Sequence, residues 1–376
     1  MPLHPAANEA EYLTLLKQLV SSESPTHDKQ ACDALADQLT DLLTERGWQV
    51  VRHAQSESGD HLEARLSGTG TGPSTLLLCH FDTVWPVGTL AEMPVRHEGD
   101  TFHGPGVLDM KAGIAAAIHA TDLLRGAGVS PAGPVTLLLT ADEEVGSLTS
   151  RALIEKLGDE HDRVLVLEPG RDDGALKIGR KGVGDYTVNF TGVSSHAGNS
   201  PELGASALRE LAHFLLFTES LDDDSKGTTI NVTTARGGTT RNVIAERAEL
   251  GIDLRVLQAA EADRIDESLR SYRSRDARVK VNVEGGLNRP PMELNDANRE
   301  LFEQVTRLAA DLGQTLEGAV VGGGSDGNFT SARGRATIDG LGGIGSGPHA
   351  RHEHILVAAT LRRVELLAAI LAAQPA

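Results

Sequence analysis

Two kinds of hydrophobic pattern alternate in the first half of the chain. One is the short, nearly continuous apolar run: Leu76-Leu77-Leu78-Cys79, the stretch from Val135 to Leu139, and Val164-Leu165-Val166-Leu167. Runs of this length between turn formers read as strands covered on both faces. The other has a helical period. Over 7–24, Leu13, Leu15, Leu16, Leu19 and Val20 share one stripe; 28–46 runs from Asp28 to Arg46 and stops at Gly47. Residues 111–127 place Ala112, Ile114, Ala115, Ala116, Ile118, Ala120 and Leu123 in a third helix, and 147–157 is a fourth. Short strands are expected at 48–53 and 61–66. Strand and helix in alternation predict a mainly parallel sheet sandwiched by helices.

Near residue 180 the period changes. Tyr186, Val188 and Phe190 alternate with polar residues. A helix at 204–217, strands at 228–234 and 248–254, a helix at 261–274 and a strand at 278–284 complete a β-α-β-β-α-β order. That is the ferredoxin-like arrangement, antiparallel with one open face. Residues 181–290 therefore read as an inserted α+β domain. Asn288-Arg289-Pro290-Pro291 is the expected return linker to the α/β domain formed by 1–180 and 291–376, which resumes with a helix at 296–312, a strand at 335–339 and a helix at 355–373.

Composition narrows the function classes. The 376 residues are 40% hydrophobic and only 3% aromatic, so the core must be aliphatic. The formal charge is 35 − 53 = −18, which disfavours nucleic acid and anionic membranes as partners. No apolar run approaches the ~20 residues that span a bilayer, and no basic-then-apolar leader opens the chain. A cytoplasmic protein is the resulting expectation. Nothing suggests that Cys32 and Cys79 pair, and Cys79, at the end of a buried-looking strand, reads as a small core residue.

The candidate chemistry lies just after the apolar runs. His80 and Asp82 follow the first, Glu143 and Glu144 the second, and Glu168 the third; Asp109 follows Gly106-Val107-Leu108 and His349 lies in a glycine-rich stretch. In an extended segment residues two apart point the same way, so Asp82 can hold the second ring nitrogen of His80 while the first binds a metal. Asp109 reads either as a helix N-cap or as a carboxylate whose two oxygens bridge two cations. Glu143-Glu144 reads either as a solvated pair or as one metal ligand beside one general base. Ligands of this kind at the carboxyl ends of strands are what a two-metal site in an α/β protein needs.

The motifs Leu78-Cys79-His80-Phe81-Asp82-Thr83-Val84-Trp85, Gly104 to Gly113, Asp142-Glu143-Glu144-Val145-Gly146-Ser147, Glu168-Pro169, Ser195-His196-Ala197-Gly198, Gly323-Gly324-Ser325-Asp326 and Gly347-Pro348-His349 run almost end to end. Together they resemble the zinc-dependent aminoacylase, acetylornithine deacetylase and succinyl-diaminopimelate desuccinylase superfamily of metallopeptidases, and within it the carboxypeptidase G (glutamate carboxypeptidase) branch. The resemblance implies two Zn2+ per subunit, with Co2+ or Mn2+ as substitutes. One would be held by His80, Asp109 and Glu168, the other by Asp109, Glu144 and His349. It implies Glu143 as general base, Asp82 as orienter of His80, His196 as oxyanion donor, and Asn231, Arg255 and Arg289 as ligands for a substrate carboxylate. It also implies a cis peptide after Asp109 and a homodimer through the inserted lid domain. His352 and His354 compete with His349, and the spacing to Glu353 favours His349. Lys177 is out of step with the lysine that reads a glutamate side chain in that branch, so the side-chain preference stays open.

The expected activity is hydrolysis of a peptide or N-acyl amino acid with release of a C-terminal amino acid, expected to be glutamate-like, by metal-activated water. An N-acyl amino acid deacylase is the alternative. A non-catalytic metal-binding scaffold for peptides is a remote third reading, which has no use for a base at Glu143.

Overall fold

A computed structural model of the chain describes residues 6–70 and 72–374. It divides into two compact units. The first comprises the described residues of Met1–Gly179, Leu294–Val320 and Ser325–Ala376, and the second Arg180–Glu293 with Val321–Gly324. Val321–Gly324 joins the second unit because Lys181 N donates to Val321 O and Arg180 Nη1 to the carbonyls of Gly323 and Gly324.

The first unit is built on a six-stranded sheet in the order Gln49–His53, His61–Leu66, Val135–Thr140, Thr75–His80, Arg163–Val166, Ala336–Ile338. The last four run parallel, and His61–Leu66 runs against them, paired antiparallel with Val135–Thr140 on one side and with the edge strand Gln49–His53 on the other. Every residue of Thr75–His80 and Val135–Thr140 is buried. Leu77 and Cys79 join the core containing Tyr12, Ile114 and Leu367, while Leu76 and Leu78 join the one containing Ile154, Leu157 and Phe329. One strand thus feeds two apolar layers, which is the physical reason its sequence is an unbroken run rather than an alternation.

Local capping trims the predicted helices. Asn8 accepts from the N–H of Ala10 and Glu11 and starts the first at Glu9–Val20, and Asp28 accepts from Ala31 N to start Lys29–Glu45. The helix expected at 147–157 is Arg151–Glu160 instead. Asp142 Oδ2 takes the N–H groups of Thr149 and Ser150 at 2.6 and 3.3 Å, and Ser147 is left-handed at φ 58°. Three features have no clear signal in the hydrophobic pattern. They are a four-stranded antiparallel sheet of Arg96–Glu98, Thr101–His103, Gly345–Ser346 and His354–Leu356, the pair Leu176–Arg180 and Gly318–Val321, and the short helix Gly327–Ala332.

The second unit has the strand order Thr229–Gly237, Arg247–Val256, Gly182–Thr191, Lys280–Arg289, all antiparallel. Helices Ala207–Glu219 and Ala259–Ser271 complete the expected split β-α-β order. Burial along Arg247–Val256 alternates strictly, and the aromatic centre is Phe214, whose ring meets those of Tyr272 at 4.7 Å and Phe190 at 5.6 Å. The fourth strand runs on to Arg289 with a register shift after Leu287, so Asn288 and Arg289 belong to the strand rather than to the linker. Cys32 and Cys79 are buried free thiols. Among the described residues no helix is long and apolar enough to cross a membrane.

Candidate metal centre

The centre begins at the carboxyl ends of three parallel strands. His80 closes Thr75–His80 and is 2% exposed. Its Nδ1 lies 3.0 Å from the carbonyl of Asp82 and 3.4 Å from that residue's Oδ1. A proton on Nδ1 satisfies both and turns Nε2 outward as a ligand. Nε2 lies 3.1 Å from Asp109 Oδ1 and 3.4 Å from Glu168 Oε1. On the other side His349 Nε2 is 3.3 Å from Asp109 Oδ2 and 3.3 Å from Glu144 Oε2. Each oxygen of Asp109 therefore faces a different imidazole. Glu143, His80 and Glu168 also offer ligand atoms that lie within 4.8 Å of one another. The peptide between Asp109 and Met110 is cis, as the resemblance implies.

His349 reaches the cluster from a left-handed backbone, φ 61°, after Gly347 at φ 80°. The rival histidines go elsewhere. His354 stacks near His103, ring centres 5.2 Å apart, and His352 packs on Gly347.

Asp82 does more than its spacing from His80 indicates. Its carboxylate also accepts from Thr26 Oγ1 at 2.7 Å and from the N–H of Glu143 and Glu144 at 3.3 and 3.2 Å. It holds the acidic pair as well as the imidazole. Behind the pair, buried Asp326 bonds Thr140 and Ser147, and Asp142 secures the turn that follows. These contacts join residues far apart in the chain, so no local pattern marks them. Glu353 is also part of the centre, and its only trace in the sequence is its distance from His349.

The electrostatics fit a cation. Burial alone would lower the pKa of His80, but Asp109, Asp82 and Glu168 overcome it and hold the ring protonated well above its usual range. Asp109 and Glu144 raise His349 to about 10. Burial would raise Asp109, yet hydrogen bonds from His349 and His80 hold it below the ordinary carboxylate range. Burial raises Glu144, and its buried Oε1 has no hydrogen-bond partner. Carboxylates crowded around two imidazoles that they hold protonated, with a buried oxygen of Glu144 left over, are a donor set suited to a divalent metal.

The remaining site candidates lie in the second unit. His196 is exposed on a loop, and its Nδ1 accepts from the N–H of Gly198 and Asn199 at 3.1 and 2.9 Å. Asn231 is exposed on the edge strand Thr229–Gly237. Arg255 grips Asp253 in two-pronged fashion, at 2.9 and 2.7 Å. Arg289 is 4% exposed, with its side chain against Gly324, where any Cβ would come within 3.0 Å of its Cδ.

Residues 76–373 match peptidase family M20/M25/M40. The chain belongs to that family. Carboxypeptidase G2 of Pseudomonas sp. (strain RS-16) is 34% identical over 365 residues, 95% of this chain and 87% of the relative. A succinyl-diaminopimelate desuccinylase of Xanthomonas oryzae pv. oryzae is 27% identical over 373 residues, covering 93% of this chain and 94% of its own. Among solved structures, aminopeptidase PepT from Bacillus cereus matches with a TM-score of 0.83 at 22% identity, covering 97% of this chain and 98% of PepT. The M20 family metallo-carboxypeptidase Sso-CP2 from Sulfolobus solfataricus matches at 0.74 and 18%, covering 96% of this chain and 98% of its own. This M20 chain is a hydrolase of peptide or acyl-amino acid bonds from a metal-dependent family, with a candidate carboxylate and histidine metal site.

Proposed function

We propose that this protein is a dinuclear zinc hydrolase that releases a C-terminal amino acid, glutamate-like in the first instance, from a peptide or N-acyl amino acid. The observation that carries the reading is the position of Asp109, with one oxygen toward His80 and Glu168 and the other toward His349 and Glu144. His80, Asp109 and Glu168 would hold one cation, and Asp109, Glu144 and His349 the other. When bound, such a pair polarises a scissile carbonyl and lowers the pKa of water toward neutrality.

The chain's own residues do the rest. Glu143, close to His80 and Glu168, takes the proton from the attacking water and delivers it to the departing nitrogen. Asp82 keeps the His80 proton on Nδ1. His196 accepts backbone N–H groups at Nδ1, so its neutral ring carries the proton on Nε2 and serves as donor to the developing oxyanion. Buried Arg289 binds the substrate carboxylate, helped by Arg255 and Asn231. A free carboxylate held in this way makes the enzyme act at chain ends. The edge strand Thr229–Gly237, largely exposed, offers unpaired backbone groups to a second copy, which supports a homodimer through the lid unit. Function in the cytoplasm belongs to the same reading.

A second reading, an N-acyl amino acid deacylase, is favoured by the similarity to a desuccinylase over 93% of the chain. One panel separates the two. Purified protein of measured zinc content is assayed on peptides ending in Glu, Asp or apolar residues and on N-acetyl and N-succinyl amino acids. The proposal expects two zinc equivalents and the highest kcat/KM on substrates ending in Glu. Preference for short acyl groups irrespective of the C-terminal residue would favour the deacylase, and a zinc-loaded protein inert on every substrate would end both readings.

A further inference from the structure

The segment that carries Asp109 has an unusual backbone. Gly106 is left-handed at φ 67°, Val107–Lys111 forms a wide π-type turn, and Asp109 and Met110 leave helical geometry altogether. N–H groups in such a segment find few acceptors along their own chain, and buried N–H groups must be satisfied somewhere. Here one side chain supplies the acceptors. Glu353 Oε1 accepts from Leu108 N at 2.8 Å and Asp109 N at 3.1 Å; Oε2 accepts from Gly106 N at 2.9 Å and from the indole Nε1 of Trp85 at 2.9 Å. The backbone forms a concave set of donors of the kind that binds anions, and the anion is a carboxylate from about 245 residues away in sequence. Glu353 is 1% exposed.

Glu353 is also tied to the other ligand. Ala350 N donates to Gly347 O and Glu353 N to Ala350 O, so successive turns lead from the strained His349 to the buried carboxylate. Fixing Glu353 fixes the chain just beyond His349.

We infer that Glu353 is a positioning residue that locks Asp109 and His349 as one unit and thereby sets the affinity for the second cation, the one assigned to Asp109, Glu144 and His349. The inference rests on the two-cation reading above. It predicts an asymmetry. The first cation depends on Glu353 through Asp109 alone, whereas the second depends on it through Asp109 and His349. His80 and Glu168 are placed by strand ends that Glu353 does not touch. Trp85 is coupled to the same carboxylate, so its indole N–H reports on it.

The test is a zinc titration of the full-length apoprotein, followed by calorimetry and by the indole N–H resonance of Trp85, on wild type, Glu353→Gln and Glu353→Asp. Glutamine keeps the shape but turns an NH2 group toward N–H donors. Aspartate keeps the charge but withdraws it by one methylene. The second equivalent should weaken about 100-fold in the Gln variant and about tenfold in the Asp variant, the range seen when partners of metal ligands are removed. The first equivalent should change less than threefold in both. The wild-type indole resonance should shift on addition of the second equivalent. Either variant suffices if only one folds, as judged by a cooperative thermal transition. A folded variant that takes both equivalents with wild-type affinity overturns the inference, as does equal weakening of the two. Should neither variant fold, an indole resonance unmoved by the second equivalent in wild type overturns it and a shift supports it. The wild-type stoichiometry tests the two-cation reading separately: a single equivalent in wild type would sink that reading, while the ratio of variant to wild-type affinity would still measure what Glu353 does.

Discussion

The residues assigned to the metals are held in the opposite way to His196 and Asn231 of the second unit. In the first unit every proposed ligand comes from a strand end or a tight turn, and the ligands are braced by buried acids. Asp82 alone ties together Thr26, His80, Glu143 and Glu144. In the second unit His196 and Asn231 are exposed, and His196 Nδ1 accepts from the N–H groups of its own loop. A cluster of like charges must be over-determined, because each carboxylate would otherwise move away from the next or take up a proton. His196 and Asn231, assigned to the substrate alone, carry no such burden and wait in solvent. Substitutions of the ligands and their braces in the first unit should therefore act through metal affinity, whereas those of Glu143 and of the second unit's residues should leave the metals in place.

The sharpest test of that contrast is Glu143→Ala, the one cluster residue assigned to proton transfer. Its kcat should fall by about 10²–10⁴ while two zinc equivalents are retained. Turnover within tenfold of wild type would remove Glu143 from the role of base. Next comes His196→Ala, with kcat down by roughly 10²–10³ and no change in zinc stoichiometry or unfolding temperature. Loss of metal in that variant would erase the division between the units.

Asp82→Asn should act the other way. Zinc affinity should drop by about 10–100-fold, and most of the lost activity should return at high zinc concentration. A variant that binds zinc normally but stays inactive would assign Asp82 to the chemistry itself. The mildest effect is on pH. Without a cation, His349 keeps its proton up to about 10 because Asp109 and Glu144 face it. A metal requires the neutral ring, so binding must release that proton. Affinity for zinc should rise as pH rises from 7 toward 10, by up to about tenfold per unit for each proton released. Calorimetry at pH 8 in buffers of different ionisation heat should show at least one proton leaving. Affinity that falls over this range would contradict the electrostatics described for the cluster.

Much of this was legible in the chain because the sheet writes its geometry into the sequence. Nearly continuous apolar runs announce strands covered on both sides, and the acids and imidazoles stand where those runs stop. The alternation of Tyr186, Val188 and Phe190 marks the second unit equally well. Part of what stayed unread depends on partners distant in sequence. Glu353 meets Leu108 across 245 positions, and Asp326 meets Ser147 across 179. The helix at 147–157 begins late because the side chain of Asp142 competes for its first N–H groups, a contest that hydrophobic periodicity does not register. The strands around His103 and His354 are two or three residues long, too short for a period to appear.

The way Leu76, Leu77, Leu78 and Cys79 divide between two cores bears on how such a chain can change over time. Removing one of those four residues would exchange the two faces and turn the imidazole after them away from its carboxylates, although every side chain left behind would still be apolar. Substitution there should be tolerated far better than deletion, so the count of residues before His80 is as much a part of the catalytic apparatus as the histidine itself.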